Sequence, residues 1–422
     1  MRLGILTQYY PPEMGAPQAR LSELAAHVVR AGHEVTVLTA MPNYPAGVVQ
    51  PGYGGVLRRE WRDGARVLRT FIYPTQRADF AHRLTNYFSF VLSSAVAGTA
   101  LLGRLDYLLV ESPPLFLGLS GVWLAAVTRA RLVFNVSDLW PESAVHLGVL
   151  RPGSAAHRAS AALEALCYRR AWLVSGQSPG IVRSIQARFP DRRTFLLSNG
   201  VDTSRFIPHA ATDQARRLVG RDGRTVALYA GLHGLAQGLG QLLDAAERLT
   251  WEDGIDIVLV GEGPEKPALL RRAEARGLRH VRFLPTQPRE RMPALLAAAD
   301  VVLVPLRTHL PGAVPSKLYE AMASGRPVAL VATGEPADIV REHDAGVVLA
   351  PGDTDALVHA LRRLRALPEE RLRLGANGRR AVQAHFDRTR IASGFIDYLQ
   401  EHLHERTGGA AAGRAIAPVA PR

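Results

Sequence analysis

A lysine and a glutamate spaced three residues apart are the pair best suited to holding an anionic ligand. They are Lys317 and Glu320, within the segment Pro315-Ser316-Lys317-Leu318-Tyr319-Glu320. If this segment is helical, the ammonium and the carboxylate lie on nearly the same face. Together they can hold a phosphate and a ribose diol, or they can form a surface salt bridge. Ser316 is a favoured residue type for capping such a helix, and Gly325 is placed to end it.

Lysine is rare in this chain, and this makes Lys317 informative. Lys266 and Lys317 are its two lysines, whereas the other 49 basic residues are arginines. A compact ammonium on a flexible stem is not exchanged for a planar guanidinium without consequence. Position 317 is therefore predicted to need an ammonium, although the retention of Lys266 can equally reflect chance.

A glycine-rich loop offers a second place for an anion. Four of the ten residues 231–240 are glycines, and they follow the predicted strand Thr225–Ala230 and precede a helix. The backbone can approach a diphosphate closely there, at the positive end of a helix dipole. An unspecific loop is the alternative. The candidate contacts in it are Gly231, His233, Gly234, Gln237 and Gly238.

Two further loops carry a weaker glycine signal. Glu262 follows the predicted strand Ile255–Val260, between two glycines. Gly15 precedes the first predicted helix, where it either admits a phosphate or forms a simple turn. The loop of Gly15 is not a GxGxxG motif, and no acidic residue closes the second strand, so nicotinamide-dinucleotide binding is disfavoured. The loop of Gly231 lacks the GxxxxGK[ST] pattern of a P-loop.

These loops are positioned by two successive sets of strands and helices. Apolar runs of strand length, separated by helical segments, recur from Leu3 to Ser175 and again from Thr225 to Leu349. Such runs indicate parallel sheets covered on both faces. We predict an α/β fold of two Rossmann-like, doubly wound domains facing a cleft, which is the default ligand site. The predicted ranges are 1–203 and 204–384 for the domains, 385–404 for a helix packing back on the first domain, and 405–422 for a disordered tail.

The amino-acid composition excludes several classes of protein and several kinds of site. Of 422 residues, 47% are hydrophobic and 21% charged, which is typical of globular proteins and excludes collagen, coiled coil and general disorder. The formal net charge of +13 favours an anionic partner, either nucleic acid, lipid headgroups or a phosphorylated substrate. No nucleic-acid motif accompanies the scattered arginines. Cys167 is the single cysteine, so an internal disulfide and a CxxC zinc site are excluded, and a reducing compartment is expected.

One segment is long enough to meet a membrane. Residues 84–103 carry no charge, but they include several serines, threonines and glycines, which favours a buried or interfacial helix over a bilayer span. Residues 58–104 contain eight arginines against three acidic residues. A basic surface beside an apolar helix suits an anionic bilayer face. We therefore expect peripheral membrane contact.

Five segments together resemble the GT-B-fold glycosyltransferases of family 4, in the WbuB-like or colanic-acid-type branch that builds bacterial surface polysaccharides. The resemblance extends over nearly the whole chain. It rests on Tyr9–Glu13, Gly32–Thr39, Asn135–Glu142, Asn199–Asp202 and Pro315–Val328.

This resemblance implies a sugar donor linked to a nucleotide diphosphate, most often UDP, and bound by the C-terminal domain without a metal or other cofactor. An N-acetylated amino sugar is one candidate. Glu320 would hold the ribose hydroxyls, and the base would lie near Pro285 and Thr286. The remaining implied donor contacts are the amides of Ser316, Lys317 and Leu318, the loop from Gly231 to Gly238, and Gly15 from the other side of the cleft.

The same resemblance implies transfer with retention of anomeric configuration to a glycan on a polyprenyl diphosphate, as in O-antigen assembly, at the cytoplasmic face of the plasma membrane. Lys317 and helix N-termini would stabilise the departing diphosphate. Asp138, which follows a predicted strand, would accept the proton of the acceptor hydroxyl, unless it only caps a helix. Glu111, at the end of another strand, is a second candidate.

Two positions depart from the family pattern. Gly312 stands eight residues before Glu320, where the family often has another glutamate, and Gln237 stands where it often has a lysine. The departures affect the expected sugar contacts more than nucleotide binding, and they place more of the phosphate binding on Lys317 and Arg307. Two alternatives remain, namely a UDP-sugar epimerase or hydrolase of the same fold and a catalytically silent subunit that binds nucleotide sugars.

Overall fold

The computed structural model describes residues 1–77, 80–220, 223–308 and 311–404, which form two compact units. The N-terminal unit contains residues 1–199 and the chain from Thr389 onward, and the C-terminal unit contains Gly200–Arg388. The predicted disordered tail, 405–422, lies outside the described residues.

The N-terminal unit is built on a sheet of eight described strands in the order β3-β4-β2-β1-β5-β6-β7-β8. Its pairings are parallel except that β3 runs antiparallel to β4. The strands are β1 (Arg2–Leu6), β2 (Glu34–Ala40), β3 (Leu57–Arg62), β4 (Ala65–Thr70), β5 (Tyr107–Ser112), β6 (Arg131–Val136), β7 (Leu173–Gly176) and β8 (Thr194–Leu196).

Helices cover both faces of this sheet. Because the central strands are buried on both sides, they are nearly continuous apolar runs. The last helix packs its apolar side chains against β1 and β5, and the Tyr107 hydroxyl donates to the Leu399 carbonyl at 2.7 Å. The helices are α1 (Ala16–Arg30), α2 (Phe80–Leu101), α3 (Leu117–Thr128), α4 (Glu142–His146), α5 (Ala155–Arg170), α6 (Pro179–Arg188) and α15 (Arg388–Glu401).

The C-terminal unit has a parallel sheet of six described strands in the order β11-β10-β9-β12-β13-β14. The strands are β9 (Thr225–Ala230), β10 (Ile255–Val260), β11 (Val281–Leu284), β12 (Val301–Pro305), β13 (Val328–Val331) and β14 (Gly346–Leu349). The helices are α7 (Asp213–Val219), α8 (Gly240–Ala246), α9 (Lys266–Ala275), α10 (Met292–Ala298), α11 (Ser316–Ala323), α12 (Glu335–Glu342), α13 (Thr354–Ala366) and α14 (Pro368–His385).

Candidate donor and acceptor sites

The order of the strands in the C-terminal sheet reverses at β9, and this reversal creates the candidate donor site. The chain runs from β9 to β10 on one side, and β12 pairs with β9 on the other. The loops that leave β9 and β12 therefore diverge at the carboxyl edge, which is where open α/β sheets bind ligands. The glycine-rich loop follows β9, and α11 follows β12.

Glycines allow the loops after β9 and β10 to stack closely. Gly231 has φ 152°, a conformation that a side chain would strain. A Cβ atom at Gly261 would lie 2.0 Å from the Gly231 carbonyl oxygen, and one at Gly263 would lie 2.4 Å from the His233 carbonyl oxygen. Only glycine fits at these contacts, so the two loops pack directly backbone against backbone.

Helix α11 brings Lys317 to this loop. Pro315 occupies the capping position and Ser316 is the first helical residue, so the prediction that Ser316 caps the helix through its side chain was wrong. Lys317 Nζ donates to the Tyr229 hydroxyl at 2.9 Å and lies 4.4 Å from the centre of that ring. Burial lowers the pKa of Lys317 to about 8, and Glu320 opposes this shift.

Glu320 lies one helical turn beyond Lys317, as the spacing predicts, and is partly buried. The two side chains are close enough for Glu320 to act electrostatically on Lys317. The neighbouring Leu318 is fully buried in the core of the unit, so its contribution to a site is limited to its backbone amide. The first turn of α11 thus presents an ammonium, a carboxylate and peptide N–H groups.

The remaining candidates of the glycine-rich loop lie in different environments. His233 is fully buried between the Tyr229 and Phe283 rings, and burial, followed by the charge of Lys266, lowers its pKa to about 4. The neutral His233 imidazole therefore stabilises the loop by packing against these two rings. Gly234 and Gln237 are at the two ends of a short 3-10 turn, where a Cβ atom on Gly234 would lie 2.9 Å from Gln237 Oε1.

Gly238 brings the loop after β12 against the loop after β9. It has φ 58°, and a Cβ atom there would lie 2.9 Å from the Arg307 Cα. The Arg307 backbone N–H donates to the Ala236 carbonyl at 2.9 Å. The Arg307 backbone therefore lies beside the loop that contains Gln237, so an arginine is next to the position where the family pattern often has a lysine.

Lys266 has a structural role that was not predicted from the sequence. Its ammonium donates to the Glu262 carboxylate at 2.6 Å, to the Gly261 carbonyl at 2.9 Å and to the Leu284 carbonyl at 3.3 Å. It thereby joins the loops that follow β10 and β11. The spacing of Glu262 and Lys266, four residues apart after a strand, was the available signal. Pro285 and Thr286 are exposed directly after β11.

The N-terminal unit contains a separate cluster of charged side chains at the carboxyl edge of its sheet. Arg20 Nη2 lies 2.5 Å from Glu111 Oε1 in a buried ion pair, and it also donates to Ser137 Oγ at 2.9 Å. Asn135 Nδ2 donates to the other Glu111 oxygen at 2.7 Å. Because both carboxylate oxygens are occupied, the geometry favours a positioning role for Glu111 over proton transfer.

Asp138 lies next to this cluster, two residues after β6. Burial, followed by the charge of Glu111, raises the pKa of Asp138 to about 6, and Arg20 opposes the shift. The following helix, α4, is capped by Pro141, so Asp138 does not cap it. A carboxylate with a raised pKa near a positioned arginine is suited to accept a proton at neutral pH.

Gly15 and Glu13 lie in the loop after β1. Gly15 is exposed at the start of α1, and a Cβ atom there would meet only the end of the Gln18 side chain. The Glu13 carboxylate is buried and accepts hydrogen bonds from the backbone N–H groups of Asn43 at 2.7 Å and Tyr44 at 2.8 Å. Glu13 thereby joins the loops after β1 and β2, a role that the sequence did not predict.

Helices α2 and α3 form an exposed apolar face. Leu92 and Val96 on α2 are 68% and 65% exposed, and Trp123 on α3 is 55% exposed. The helices pack closely, since Trp123 Nε1 donates to Thr99 Oγ1 at 2.9 Å. By length and composition alone, the segment Ala81–Leu101 could cross a membrane. Only 22% of its most apolar stretch of 18 residues is buried. Its exposure contradicts a buried core helix.

The basic region around α2 is smaller than its sequence indicates. Arg69 is fully buried, where it pairs with Glu60 and donates to the Ala40 carbonyl. Arg66 donates to the Leu101 carbonyl at 3.1 Å. The exposed arginines of this region are Arg58, Arg59, Arg77, Arg83 and Arg104. Among the described residues, no group of three or more His, Cys, Asp or Glu side chains is arranged to hold a metal ion.

Comparison with known sequences identifies both units. Residues 15–200 match the family described as glycosyl transferase 4-like domain, and residues 212–381 match the family described as glycosyl transferases group 1. WcaI of Escherichia coli (strain K12), named for colanic acid biosynthesis, is 28% identical over 374 residues, which cover 85% of this chain and 91% of WcaI. A D-inositol 3-phosphate glycosyltransferase of Salinispora arenicola is 32% identical over 227 residues, half of each chain.

Solved structures share the fold. Sucrose-phosphate synthase from Thermosynechococcus elongatus superposes with a TM-score of 0.75 at 20% identity, over 95% of this chain and 98% of its own. HepE of Anabaena, solved with UDP and glucose, has a TM-score of 0.70 at 18% identity, over 95% and 99%. These comparisons confirm the predicted fold class and family resemblance. The chain belongs to the group 1 glycosyltransferases of the GT-B fold, with a glycosyl transferase 4-like domain ahead of its group 1 domain.

Proposed function

We propose that this glycosyltransferase moves a sugar from a UDP-linked donor to a lipid-diphosphate-linked glycan, with retention and without a metal, in the assembly of a bacterial surface polysaccharide. The observation that carries the proposal is the position of Lys317 at the first turn of α11, with its ammonium beside Gly231 of the glycine-rich loop. An ammonium, a helix N-terminus and open loop backbone are the groups that bind a diphosphate.

The proposed roles of the donor-site residues follow from the negative charge that develops on the leaving group. As the glycosidic bond to the donor phosphate breaks, negative charge grows on the departing diphosphate. Lys317 and the amides of Ser316 and Lys317 stabilise that charge, and Arg307 adds to it from beside Gly238. Glu320 accepts hydrogen bonds from the ribose hydroxyls. The UDP base is supported by HepE, which was solved with UDP and with UDP-glucose.

The acceptor chemistry belongs to the N-terminal unit. Asp138, with its pKa raised to about 6, is ionised at neutral pH and accepts the proton of the attacking hydroxyl. The buried pair of Arg20 and Glu111 fixes the end of β5 next to it. Retention has no assigned protein nucleophile here, so Asp138 is proposed as a base and not as a covalent intermediate.

The exposed face of α2 and α3 is proposed to rest on the cytoplasmic side of the plasma membrane. Phe88, Leu92 and Val96 recur every four residues, so they form one stripe along α2. Exposed arginines such as Arg83 and Arg104 lie near the two ends of this helix. An apolar stripe with basic ends matches an anionic bilayer and would bring a lipid-borne acceptor to the enzyme.

Product analysis tests the reaction. Purified protein is incubated with radiolabelled UDP-glucose, UDP-N-acetylglucosamine and GDP-mannose, each with a synthetic polyprenyl-diphosphate sugar. We expect label from a UDP sugar to enter the lipid phase with the anomeric configuration of the donor. Release of free sugar would indicate a hydrolase, and a changed UDP sugar would indicate an epimerase. Binding of a donor without any product would indicate a silent subunit.

Two variants locate that activity in the proposed site. Lys317→Ala should lower transfer at least about tenfold, because a charged hydrogen bond to the leaving group is lost. Arg216→Ala removes an exposed cation of the same unit, whose partner Asp213 is also exposed, and should leave transfer unchanged. Equal activity of the wild type and Lys317→Ala would contradict the assignment of the donor site.

A further inference from the structure

Tyr229 is a strand residue whose hydroxyl makes two contacts at the candidate donor site. It lies near the end of β9 and is fully buried. Its hydroxyl accepts a hydrogen bond from Lys317 Nζ at 2.9 Å and donates one to the Leu232 carbonyl at 2.6 Å. The phenol therefore connects α11 with the glycine-rich loop, two segments that are far apart in the chain.

The hydroxyl proton has a defined direction. Because a phenol has one proton, and that proton points to the Leu232 carbonyl, its lone pairs face Lys317. An ammonium has three donors. Among the residues that the structure describes, Tyr229 takes one of them, which leaves two for the oxygens of a bound diphosphate.

The surroundings leave the ammonium little freedom. The Tyr229 ring lies below Lys317 Nζ, with 4.4 Å from the nitrogen to the ring centre. A Cβ atom on Gly231 would lie 2.9 Å from Lys317 Nζ and 3.2 Å from the Tyr229 hydroxyl. A long flexible lysine normally loses rotamer entropy when it binds a ligand. Here the hydrogen bond to Tyr229 and the contact with its ring restrain the ammonium before a ligand binds.

We propose that Tyr229 is a positioning residue of the donor site, whose hydroxyl holds the Lys317 ammonium in the arrangement that receives a diphosphate. The proposal rests on the proposed function, since it assumes that Lys317 binds the donor diphosphate. Tyr229 itself does not touch the donor in this account, and it acts through Lys317.

The test is a double-mutant cycle on UDP binding, measured by isothermal titration calorimetry. Tyr229→Phe keeps the ring and its packing but removes the hydroxyl. We expect its dissociation constant for UDP to rise about tenfold, as for loss of a hydrogen bond to a charged group. In the Lys317→Ala background, Tyr229→Phe should change the dissociation constant less than twofold, because the group that it positions is gone.

The N-terminal unit offers a matched control. Tyr107 is also a fully buried strand tyrosine, whose hydroxyl accepts from Arg131 Nη1 at 3.1 Å and donates to the Leu399 carbonyl at 2.7 Å. Tyr107→Phe removes the same pattern of hydrogen bonds away from the donor site. It should lower thermal stability by an amount similar to that for Tyr229→Phe while leaving UDP affinity unchanged.

Each possible outcome of the UDP-binding measurements either supports or overturns the proposal. Coupling between Tyr229 and Lys317 supports the proposal. An equal loss of affinity from Tyr229→Phe in both backgrounds, or no loss in either, overturns it while the proposed function stands. If the wild type binds UDP and Lys317→Ala binds it equally well, or if the wild type binds none, the premise about Lys317 fails and the proposal falls with it.

Discussion

Arg20 on α1 and Glu111 at the end of β5 form an ion pair that is buried at both ends, with 2.5 Å between Nη2 and Oε1. Asn135 and Ser137 complete the hydrogen bonds of the carboxylate. The pair joins the first helix to the carboxyl edge of the sheet, beside Asp138. Removing one partner leaves the other charge buried without compensation, which is far more costly than losing an exposed pair.

Arg20→Ala is therefore expected to lower the free energy of unfolding by about 3–5 kcal/mol. Urea denaturation of the purified variant measures this change. The control is Arg216→Ala, whose partner Asp213 is exposed, and it should cost less than about 1 kcal/mol. Similar losses for the two variants would show that the Arg20–Glu111 pair does not hold the edge of the sheet.

Gly231→Ala is expected to abolish most donor binding. The new methyl group would strain a backbone with φ 152° and would lie 2.9 Å from Lys317 Nζ, so it displaces the ammonium. We expect kcat/KM for the donor to fall at least about tenfold. Gly277→Ala is the control, because Gly277 also has positive φ but has no atom within 4 Å of the added Cβ. Retained activity in Gly231→Ala, or an equal loss in Gly277→Ala, would contradict this argument.

The pH dependence of kcat/KM should be bell-shaped. Asp138 has a raised pKa of about 6 and must be ionised to accept a proton, so activity falls as the pH drops through 6. Lys317 has a lowered pKa of about 8 and must be protonated to bind a diphosphate, so activity falls as the pH rises through 8. Initial-rate measurements from pH 5 to pH 9.5 would define both limbs.

Two substitutions assign these limbs. Lys317→Arg should move the alkaline limb beyond the measured range, because a guanidinium remains charged. Asp138→Asn should lower kcat by about a hundredfold or more without shifting the alkaline limb. An alkaline limb that is unchanged in Lys317→Arg would exclude Lys317 as its source.

The same shifts affect stability in defined directions. The folded Asp138 binds its proton more tightly than the unfolded chain, so its contribution is fully present below about pH 4 and is lost as the pH rises through 6. The folded Lys317 binds its proton less tightly, so stability increases as the pH rises from about 8 toward 10.5. Urea unfolding of the wild type and of Lys317→Ala at pH 7 and pH 10 measures the second effect, which should be absent in the variant.

Substitutions on the exposed helical face should weaken membrane binding. Leu92→Ser combined with Trp123→Ser removes two large exposed apolar groups, and we expect at least about a tenfold drop in the partition coefficient. Sedimentation with vesicles that contain phosphatidylglycerol measures it. Leu372→Ser removes an equally exposed leucine from α14 of the other unit and serves as the control. Equal partitioning of all three proteins would contradict the proposed membrane face.

The strands of the C-terminal sheet could largely be predicted because they are buried on both faces. Val301–Pro305 is an uninterrupted apolar run and Ile255–Val260 is interrupted only by Asp256, and the structure confirms the bounds of both. The edge strand Leu57–Arg62 was missed, since three arginines and a glutamate hide its extended character. Edge strands often carry such charges, which block pairing with other chains.

The residues of the donor site could be predicted only in part from the sequence. The spacing of Lys317 and Glu320 placed both on one turn of α11, because helical geometry is local. Tyr229 read as an ordinary core residue of a strand, since its contact with Lys317 spans 88 positions and depends on the sheet order. Glu13 and Lys266 were missed for the same reason, because each joins loops that follow different strands.

The central claim, that Lys317 and Glu320 bind the donor nucleotide, is tested most directly by a crystal structure of the protein with UDP. The account predicts the diphosphate within hydrogen-bond distance of Lys317 Nζ and the first amides of α11, with the Glu320 carboxylate on the ribose hydroxyls. UDP bound elsewhere on the C-terminal unit, or Glu320 turned away from the ribose, would contradict it.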